Sequence, residues 1–322
     1  MQTMINFDDA PIFAIPVLDG PAPREGMLLE GPQGWGEFSP PGDVDGANLV
    51  RWLTAAIEVG TVGWPDPVRG RVPIAVTVPA VDPVRAHAIV TASGCGTAEV
   101  TVAARPGSLA DDIARVEAVR DALGPAGAIR VDANGQWDTD TAVSAIAALA
   151  SATGGLEFVE QPCRTLDELA AVRRRVDVRI AADQSIRYAK RPLDVSRAGA
   201  ADIVVLTCAP LGGARRALRV AEVCELPCVV SSALESSIGL AAGLALAGAL
   251  PELPFACGLG TRTLLDGDVV APSRSLVPVD GHLPVAPMPA APDPDLVARF
   301  AVTDADVIER WRQRLTTARN NQ

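Results

Sequence analysis

Three acidic side chains stand at the carboxyl ends of three successive predicted strands: Asp132, Glu160 and Asp183. The carboxyl ends of parallel strands share one edge, and neighbouring strands lie about 4.8 Å apart, so the three carboxylates can converge on one point. Like charges at that distance repel unless a hard divalent cation neutralises them, and Mg²⁺ prefers oxygen ligands. The pattern therefore predicts a magnesium site. The alternative is that each acid caps a helix, which explains one acid better than it explains three.

The remaining predicted strand ends carry small or polar residues that could contact a substrate. They are Glu99 and Thr101, Asn134, Gln184, Thr207, Ser231 and Ser232, and Gly258 and Gly260. The serines and glycines at the last two strands would let a ligand approach the backbone, although tight barrel packing explains them equally well. Two carboxylates on a barrel would also suit a glycosidase, but three acids and few aromatic residues weaken that reading.

Alternating strands and helices must position these side chains. From about residue 95 short apolar strands alternate with amphipathic helices, which is typical of parallel strands joined by right-handed crossovers. With an earlier strand at 72–80, the series predicts a closed (β/α)₈-type barrel. A doubly wound open sheet is the alternative, but no glycine-rich phosphate fingerprint follows the first strand. The predicted barrel strands are 97–103, 128–134, 155–162, 178–184, 201–207, 227–233 and 254–260.

The two ends of the chain differ from this series. Short strands at 26–30 and 34–38 and a helix at 48–59 predict a small α+β unit before the barrel. A Pro- and Ala-rich tail that ends in a polar helix could fold back onto this unit. The predicted domains are a capping domain over 1–90, the barrel over 91–283, and a tail over 284–322 that completes the capping domain.

Composition excludes several classes of function. The 322 residues are 48% hydrophobic and carry a formal charge of −11, which argues against binding nucleic acid or an anionic membrane. No signal peptide is evident, and the longest apolar run, Ile238–Leu250, is too short to cross a bilayer. Six scattered cysteines lack a disulfide or metal spacing. We expect a cytoplasmic protein with a small-molecule carboxylate or dicarbonyl as its partner; the sequence says little about its oligomeric state.

Several motifs in order resemble the o-succinylbenzoate synthase branch of the enolase superfamily, in its actinobacterial form. They are GPQGWGEFSP (31–40), TVPAV (77–81), VDANGQW (131–137), FVEQPC (158–163), IAADQSIR (180–187), VVSSALESSIGLAAG (229–243) and ACGLGT (256–261). The resemblance implies an α/β fold, in which a (β/α)₇β TIM-like barrel lies under an N-terminal α+β capping domain completed by the C-terminal tail. It also implies that Asp132, Glu160 and Asp183 are magnesium ligands.

The sequence departs from this family at the residues that move protons. The family's K-x-K pair on the second barrel strand is Glu99-Val100-Thr101 here, and its lysine on the sixth strand corresponds to Thr207. Gln184 replaces a usual glutamate. The loop that closes over substrate has Arg24 as its only positive charge. The single lysine, Lys190, falls on the helical side after the fifth strand and is expected to be solvated.

These departures leave three functions open. The favoured prediction is a lyase or cyclase recruited to a different ring-forming or elimination reaction, such as a cycloaddition in secondary metabolism, which does not need the lysine pair. The second is o-succinylbenzoate synthase itself with a substitute base. Glu99 is the candidate for that base, because residues 99 and 101 share one strand face. The third is a non-catalytic protein that binds a ligand.

Overall fold

The computed structural model describes residues 5–189, 191–286 and 288–322. Its described chain contains the following elements in order: β1 (Ile12–Ile15), β2 (Arg24–Gly31), β3 (Gly34–Phe38), α1 (Gly46–Thr61), β4 (Arg71–Pro73), β5 (Ala75–Val78), α2 (Pro83–Ser93), β6 (Thr97–Thr101), α3 (Leu109–Leu123), β7 (Ala128–Asp132), α4 (Thr139–Thr153), β8 (Val159–Glu160), α5 (Leu166–Arg173), β9 (Ile180–Ala182), α6 (Gln184–Arg187), α7 (Leu193–Arg197), β10 (Ile203–Thr207), α8 (Cys208–Leu211), α9 (Ala214–Cys224), β11 (Cys228–Ser231), α10 (Ser237–Ala249), β12 (His282–Pro284), α11 (Pro294–Arg299) and α12 (Ala305–Asn320).

Strands β5 to β11 form one parallel sheet in sequence order. The segment after α10 closes this sheet into a barrel. Cys257 bridges to Ile74 beside β5, and Gly258 bridges to Ser231 at the end of β11. The backbone N–H of Gly258 donates to the carbonyl of Val230 at 2.8 Å. The predicted barrel is therefore confirmed. Its eighth strand, predicted over 254–260, is represented in the structure by isolated bridges and not by a regular strand.

The barrel strands are apolar because both of their faces are covered. All five residues of β10 are buried, and so are all four of β11. The side chains that fill the barrel interior form one small cluster, namely Phe158, Ala181, Ile203, Val205, Val229 and Phe255. A much larger apolar cluster lies between the strands and the surrounding helices.

The N-terminal unit is an antiparallel sheet in the order β1-β2-β3, packed against α1. Helix α12 at the end of the chain covers the same core, because Trp311 and Leu315 join Trp52 and Leu53 of α1 in one buried cluster. The barrel sheet begins at β5, inside the range that the sequence analysis assigned to the capping domain. The boundary drawn at residue 90 therefore does not coincide with the start of the barrel.

Two carboxylates of the N-terminal unit cap helices of the barrel. Glu37 Oε2 accepts hydrogen bonds from the backbone N–H groups of Ser236 (3.1 Å) and Gly239 (3.2 Å) at the start of α10. Glu58 Oε2 accepts from the N–H of Ala214 at 2.6 Å, the first residue of α9. The first N–H groups of a helix have no partner within the helix and carry partial positive charge, so these contacts fix the unit on the barrel.

Burial has a cost at one of these two contacts. It raises the pKa of Glu37 to about 7, although the Arg24 guanidinium and the hydroxyls of Ser236 and Ser39 oppose the shift.

Among the described residues, none of the helices combines the length and the apolar character needed to cross a membrane.

Candidate functional site

The structure brings the three predicted carboxylates together at the barrel mouth. Asp132 is the last residue of β7 and lies opposite Glu160, the last residue of β8. Asp183 follows β9 directly and precedes α6. Burial raises the pKa of Asp132 to about 8, and the nearby carboxylates of Asp183 and Glu99 add to the shift. Burial and Asp132 likewise raise the pKa of Glu160 well above its ordinary value. The three carboxylates therefore lie at the same end of neighbouring strands, near enough to shift one another's pKa.

Arg187 occupies both oxygens of Asp183. Its Nε donates to Oδ1 at 2.8 Å, and the same guanidinium also donates to Oδ2. Its terminal nitrogen lies 3.3 Å from the hydroxyl of Thr207, which is fully buried at the end of β10. Burial raises the pKa of Asp183, and the guanidinium of Arg187 opposes that shift. A cation from the protein itself thus sits on one of the three carboxylates.

A second arginine pairs with Glu99 deeper in the barrel. Arg130 Nε donates to Glu99 Oε2 at 2.9 Å, and Arg130 also donates to the carbonyl of Ala256 at 2.6 Å. Its guanidinium lies 4.9 Å from the ring centre of Phe158. Arg130 is fully buried, and Glu99 is 9% exposed. Glu99 Oε1 takes part in none of the hydrogen bonds found among the described residues.

Neither arginine was singled out from the sequence, yet both leave a signal there. Arg130 lies two residues before Asp132, so it shares that strand face and points into the barrel. Arg187 lies four residues after Asp183, the spacing at which opposite charges meet across one helical turn. Gln161 was also missed. Its Oε1 accepts from the backbone N–H of Asp183 at 2.9 Å and so holds the strand end in place.

The polar residues on the rim lie in three neighbouring pairs. Asn134 and Gln184 meet across the mouth, with Gln184 Nε2 donating to Asn134 Oδ1 at 3.2 Å. Thr101 is half-buried and lies opposite Asp132 in the sheet. Thr207 lies opposite Ser231 at the end of β11. These positions surround the carboxylates, as the predicted series of strand ends requires.

The glycines and Ser232 take part in closing the barrel. A Cβ on Gly258 would lie 2.9 Å from the hydroxyl of Ser231, and one on Gly260 would lie 3.0 Å from the carbonyl of Ala75. Ser232 Oγ is 2.7 Å from the hydroxyl of Thr261. Such close contacts favour the packing interpretation of both glycines. Ser231 remains at the mouth, 9% exposed.

Arg24 lies in the N-terminal unit. Its guanidinium donates to the hydroxyl of Ser39 at 3.0 Å and lies 6.0 Å from the ring centre of Trp52. Burial lowers the pKa of Arg24, whereas the carboxylates of Glu37 and Glu235 oppose this shift. A role in binding substrate stays a prediction. Lys190 falls outside the described residues.

The carboxylates as placed do not form a metal-binding group. Within 5–189, 191–286 and 288–322, no three His, Cys, Asp or Glu side chains are grouped so that they could hold a metal ion. One feature favours a cation, since Glu160 Oε2 is buried without a hydrogen-bond partner. The opposing feature is the Arg187 guanidinium, which donates hydrogen bonds to both oxygens of Asp183. A divalent cation that used Asp183 would have to displace Arg187.

Two family models cover most of this chain. Residues 20–60 match the model described as "Enolase N-terminal domain-like", and residues 84–292 match "Enolase C-terminal domain-like". The first coincides with the unit that holds β2, β3 and α1. The second spans nearly all of the barrel. The predicted enolase-superfamily fold is therefore confirmed.

Curated relatives match over nearly the full length. An o-succinylbenzoate synthase from Thermobifida fusca (strain YX) is 55% identical over 310 residues, which are 95% of this chain and 95% of that protein. An o-succinylbenzoate synthase from Mycolicibacterium smegmatis (strain ATCC 700084 / mc(2)155) is 51% identical over 87% of this chain and 85% of that protein. The predicted family membership is confirmed.

Solved structures agree on the fold at much lower identity. A muconate lactonizing enzyme from Pseudomonas fluorescens in complex with muconolactone superposes with a TM-score of 0.80 at 21% identity, covering 94% of this chain and 100% of that one. For 2-chloromuconate cycloisomerase from Rhodococcus opacus 1CP the TM-score is 0.79 at 22% identity, with the same coverage. These two neighbours establish architecture alone.

The curated relatives overturn the favoured functional prediction. We expected a scaffold recruited to a different ring-forming or elimination reaction, because the sequence lacks lysines at the expected positions. Relatives at 51–55% identity over most of the chain are named o-succinylbenzoate synthase instead. The recruited cyclase is therefore wrong. The substitutions affect a few side chains at the barrel mouth, whereas the similarity extends over nearly the whole chain.

Proposed function

Because the chain belongs to the o-succinylbenzoate synthase branch of the enolase superfamily, we propose that it catalyses the reaction for which that branch is named. The substrate is 2-succinyl-6-hydroxy-2,4-cyclohexadiene-1-carboxylate, which loses water to form an aromatic ring. The observation that carries the proposal is 55% identity over 95% of the chain to a curated synthase. The cytoplasm is the proposed location, as for other enzymes that act on small metabolites.

Glu99 is the proposed base. Its Oε2 is held by Arg130, which leaves Oε1 to take the proton from the ring carbon that bears the carboxylate. The C–O bond to the hydroxyl then breaks as the ring double bond forms. The same Glu99 returns its proton to the departing hydroxyl, so that one water leaves and Glu99 is restored. Aromatisation favours this elimination.

Thr101 and Thr207 are proposed to contact the substrate at the positions where the family has lysines. A threonine hydroxyl is no base near neutral pH without its own activator, so we assign it hydrogen bonding and no proton transfer. Asn134, Gln184 and Ser231 are the proposed polar contacts on the rim. Arg24 is proposed to contribute to substrate binding from the N-terminal unit.

Magnesium is the cofactor that the resemblance implies, with Asp132, Glu160 and Asp183 as its ligands. The described arrangement does not fit that ion while Arg187 holds Asp183. The reaction steps above therefore use only side chains of this chain.

The test is turnover of the purified protein with the named substrate, followed by absorbance, in buffer with Mg²⁺ and in buffer with a chelator. Glu99→Gln should lower the rate by about 10²- to 10⁴-fold, the usual effect of losing a positioned base. Glu157→Gln is the matched control, because Glu157 also lies near Arg130, at 3.8 Å, but precedes the start of β8. Its rate should stay unchanged.

Product formation at the buffer rate, from protein that is folded by circular dichroism, would contradict the proposal. It would then favour the non-catalytic ligand-binding alternative. Equal rates in wild type and Glu99→Gln would leave the reaction in place but remove Glu99 as its base.

A further inference from the structure

We propose that Arg187 is a built-in counter-cation that competes with divalent cations for Asp183, so that this chain binds such a cation weakly and only when Arg187 has left. Both carboxylate oxygens are engaged by one guanidinium. Bidentate arginine–carboxylate pairs of this kind are among the strongest hydrogen-bonded ion pairs in proteins. The Asp183 side chain is only 2% exposed, so water does not weaken the pair.

The charges around the mouth explain why a cation is still attracted. Glu99, Asp132, Glu160 and Asp183 bring four negative charges when ionised, and only Arg130 offsets them once Arg187 has left. The remaining excess of negative charge is then larger than the charge of one divalent cation. Mg²⁺ and Mn²⁺ can bind through one or two carboxylates and complete their shell with water. Asp183, once Arg187 has left it, can supply one of these carboxylates, and Asp132 or Glu160 can supply the other.

Thr207 provides the space for the Arg187 contact. The terminal nitrogen of Arg187 lies 3.3 Å from the Thr207 hydroxyl, at the end of the neighbouring strand. A lysine at this position would place an ammonium beside the guanidinium and repel it from Asp183. The small neutral threonine permits the pair. Arg187 is 17% exposed, so its side chain can move outward toward solvent when a cation takes its place.

Binding of Mn²⁺, measured by the loss of the free-ion electron paramagnetic resonance signal, tests this competition without relying on turnover. Arg187→Gln should bind Mn²⁺ at least about tenfold more tightly than wild type, since a charged hydrogen-bonded pair no longer has to be broken. Adding Asp183→Asn to that variant should abolish the gain. A failure of the dehydration proposed above would not affect this result.

Arg191→Gln is the matched control. Arg191 also donates to one aspartate, Asp194, with two nitrogens, but both side chains are well exposed at the start of α7. Its Mn²⁺ affinity should equal that of wild type. If Arg187→Gln does not fold, Mn²⁺ binding is measured on Arg187→Lys in its place. This variant should also bind Mn²⁺ more tightly than wild type, because lysine keeps the charge but cannot donate to both oxygens of Asp183 as the planar guanidinium does. Affinity equal to or below wild type in the folded Arg187 variant would overturn the proposal.

Discussion

Removing the Arg130 side chain should destabilise the barrel strongly, because it leaves the carboxylate of Glu99 without a partner in the interior. Arg130 is fully buried and holds Glu99, which is 9% exposed, at 2.9 Å. Breaking such a buried pair from one side costs about 3–5 kcal/mol, since the remaining charge has no partner and little water. We therefore expect Arg130→Met to lose about 3–5 kcal/mol, a large part of the 5–15 kcal/mol that is about the usual total stability of a domain.

The double variant separates the stranded charge from the other contacts of Arg130. In Glu99→Gln/Arg130→Met the carboxylate that Arg130 holds most closely is neutral, and Glu157, 3.8 Å from Arg130 in wild type, keeps its charge. The variant still loses the hydrogen bond to Ala256 and the contact with the Phe158 ring. These two contacts are worth about 1 kcal/mol each. The double variant should therefore be less stable than wild type by about 2 kcal/mol, and more stable than the single variant.

Urea unfolding followed by circular dichroism measures these differences as shifts of the midpoint at constant slope. Arg175→Met is the matched control, because Arg175 pairs with Asp140 at 2.7 Å on the exposed surface. Surface pairs contribute about 0–1 kcal/mol. The reasoning is refuted if Arg130→Met costs no more than this control, or if the added Glu99→Gln recovers nothing.

Three further variants test contacts around the barrel. Glu58→Gln should lose about 1–2 kcal/mol of stability in urea, because its carboxylate caps α9. Glu37 binds its proton more tightly in the folded state, with a pKa of about 7 against an ordinary value of 4.5. Proton binding thus stabilises the fold fully below pH 4.5, and this stabilisation of about 3 kcal/mol is lost as the pH rises to 7. Thermal melts should show a smaller fall in Glu37→Gln than in wild type, because the part that remains comes from Asp132 and Glu160, whose pKa values burial also raises. Gly258→Ala should lose about 1–3 kcal/mol in urea through overpacking, whereas Gly70→Ala, whose Cβ meets no atom within 4 Å, should lose less.

Each of these three expectations has a result that contradicts it. For Glu58→Gln it is a stability equal to wild type. For Glu37 it is a melting temperature whose dependence on pH between 4.5 and 7 is the same in wild type and in Glu37→Gln. For Gly258→Ala it is a loss no larger than that of Gly70→Ala.

The helices and barrel strands were predictable because their signals are local. An apolar run between turn residues predicts a buried strand, and amphipathic spacing predicts the helix after it. The strand predicted over 155–162 is nonetheless only Val159–Glu160 in the structure. Strand length depends on pairing with neighbours, which one segment alone does not contain. Strand β1 (Ile12–Ile15) was missed, since four residues between prolines resemble a loop.

The positions of the carboxylates could be predicted from the sequence, whereas those of their arginine partners could not. The difference lies in the length and flexibility of the side chains. Aspartate and glutamate are short, so the strand register and the alternation of its faces nearly fix where Asp132 and Glu160 end. Arginine has a long flexible stem, and most arginines extend into solvent. Only the closed barrel decides that Arg130 turns inward to Glu99 and that Arg187 folds back onto Asp183. The chemistry of the mouth follows from these two contacts, because the guanidinium of Arg187 engages both oxygens of Asp183, whereas Arg130 engages one oxygen of Glu99 and leaves the other to act on a substrate.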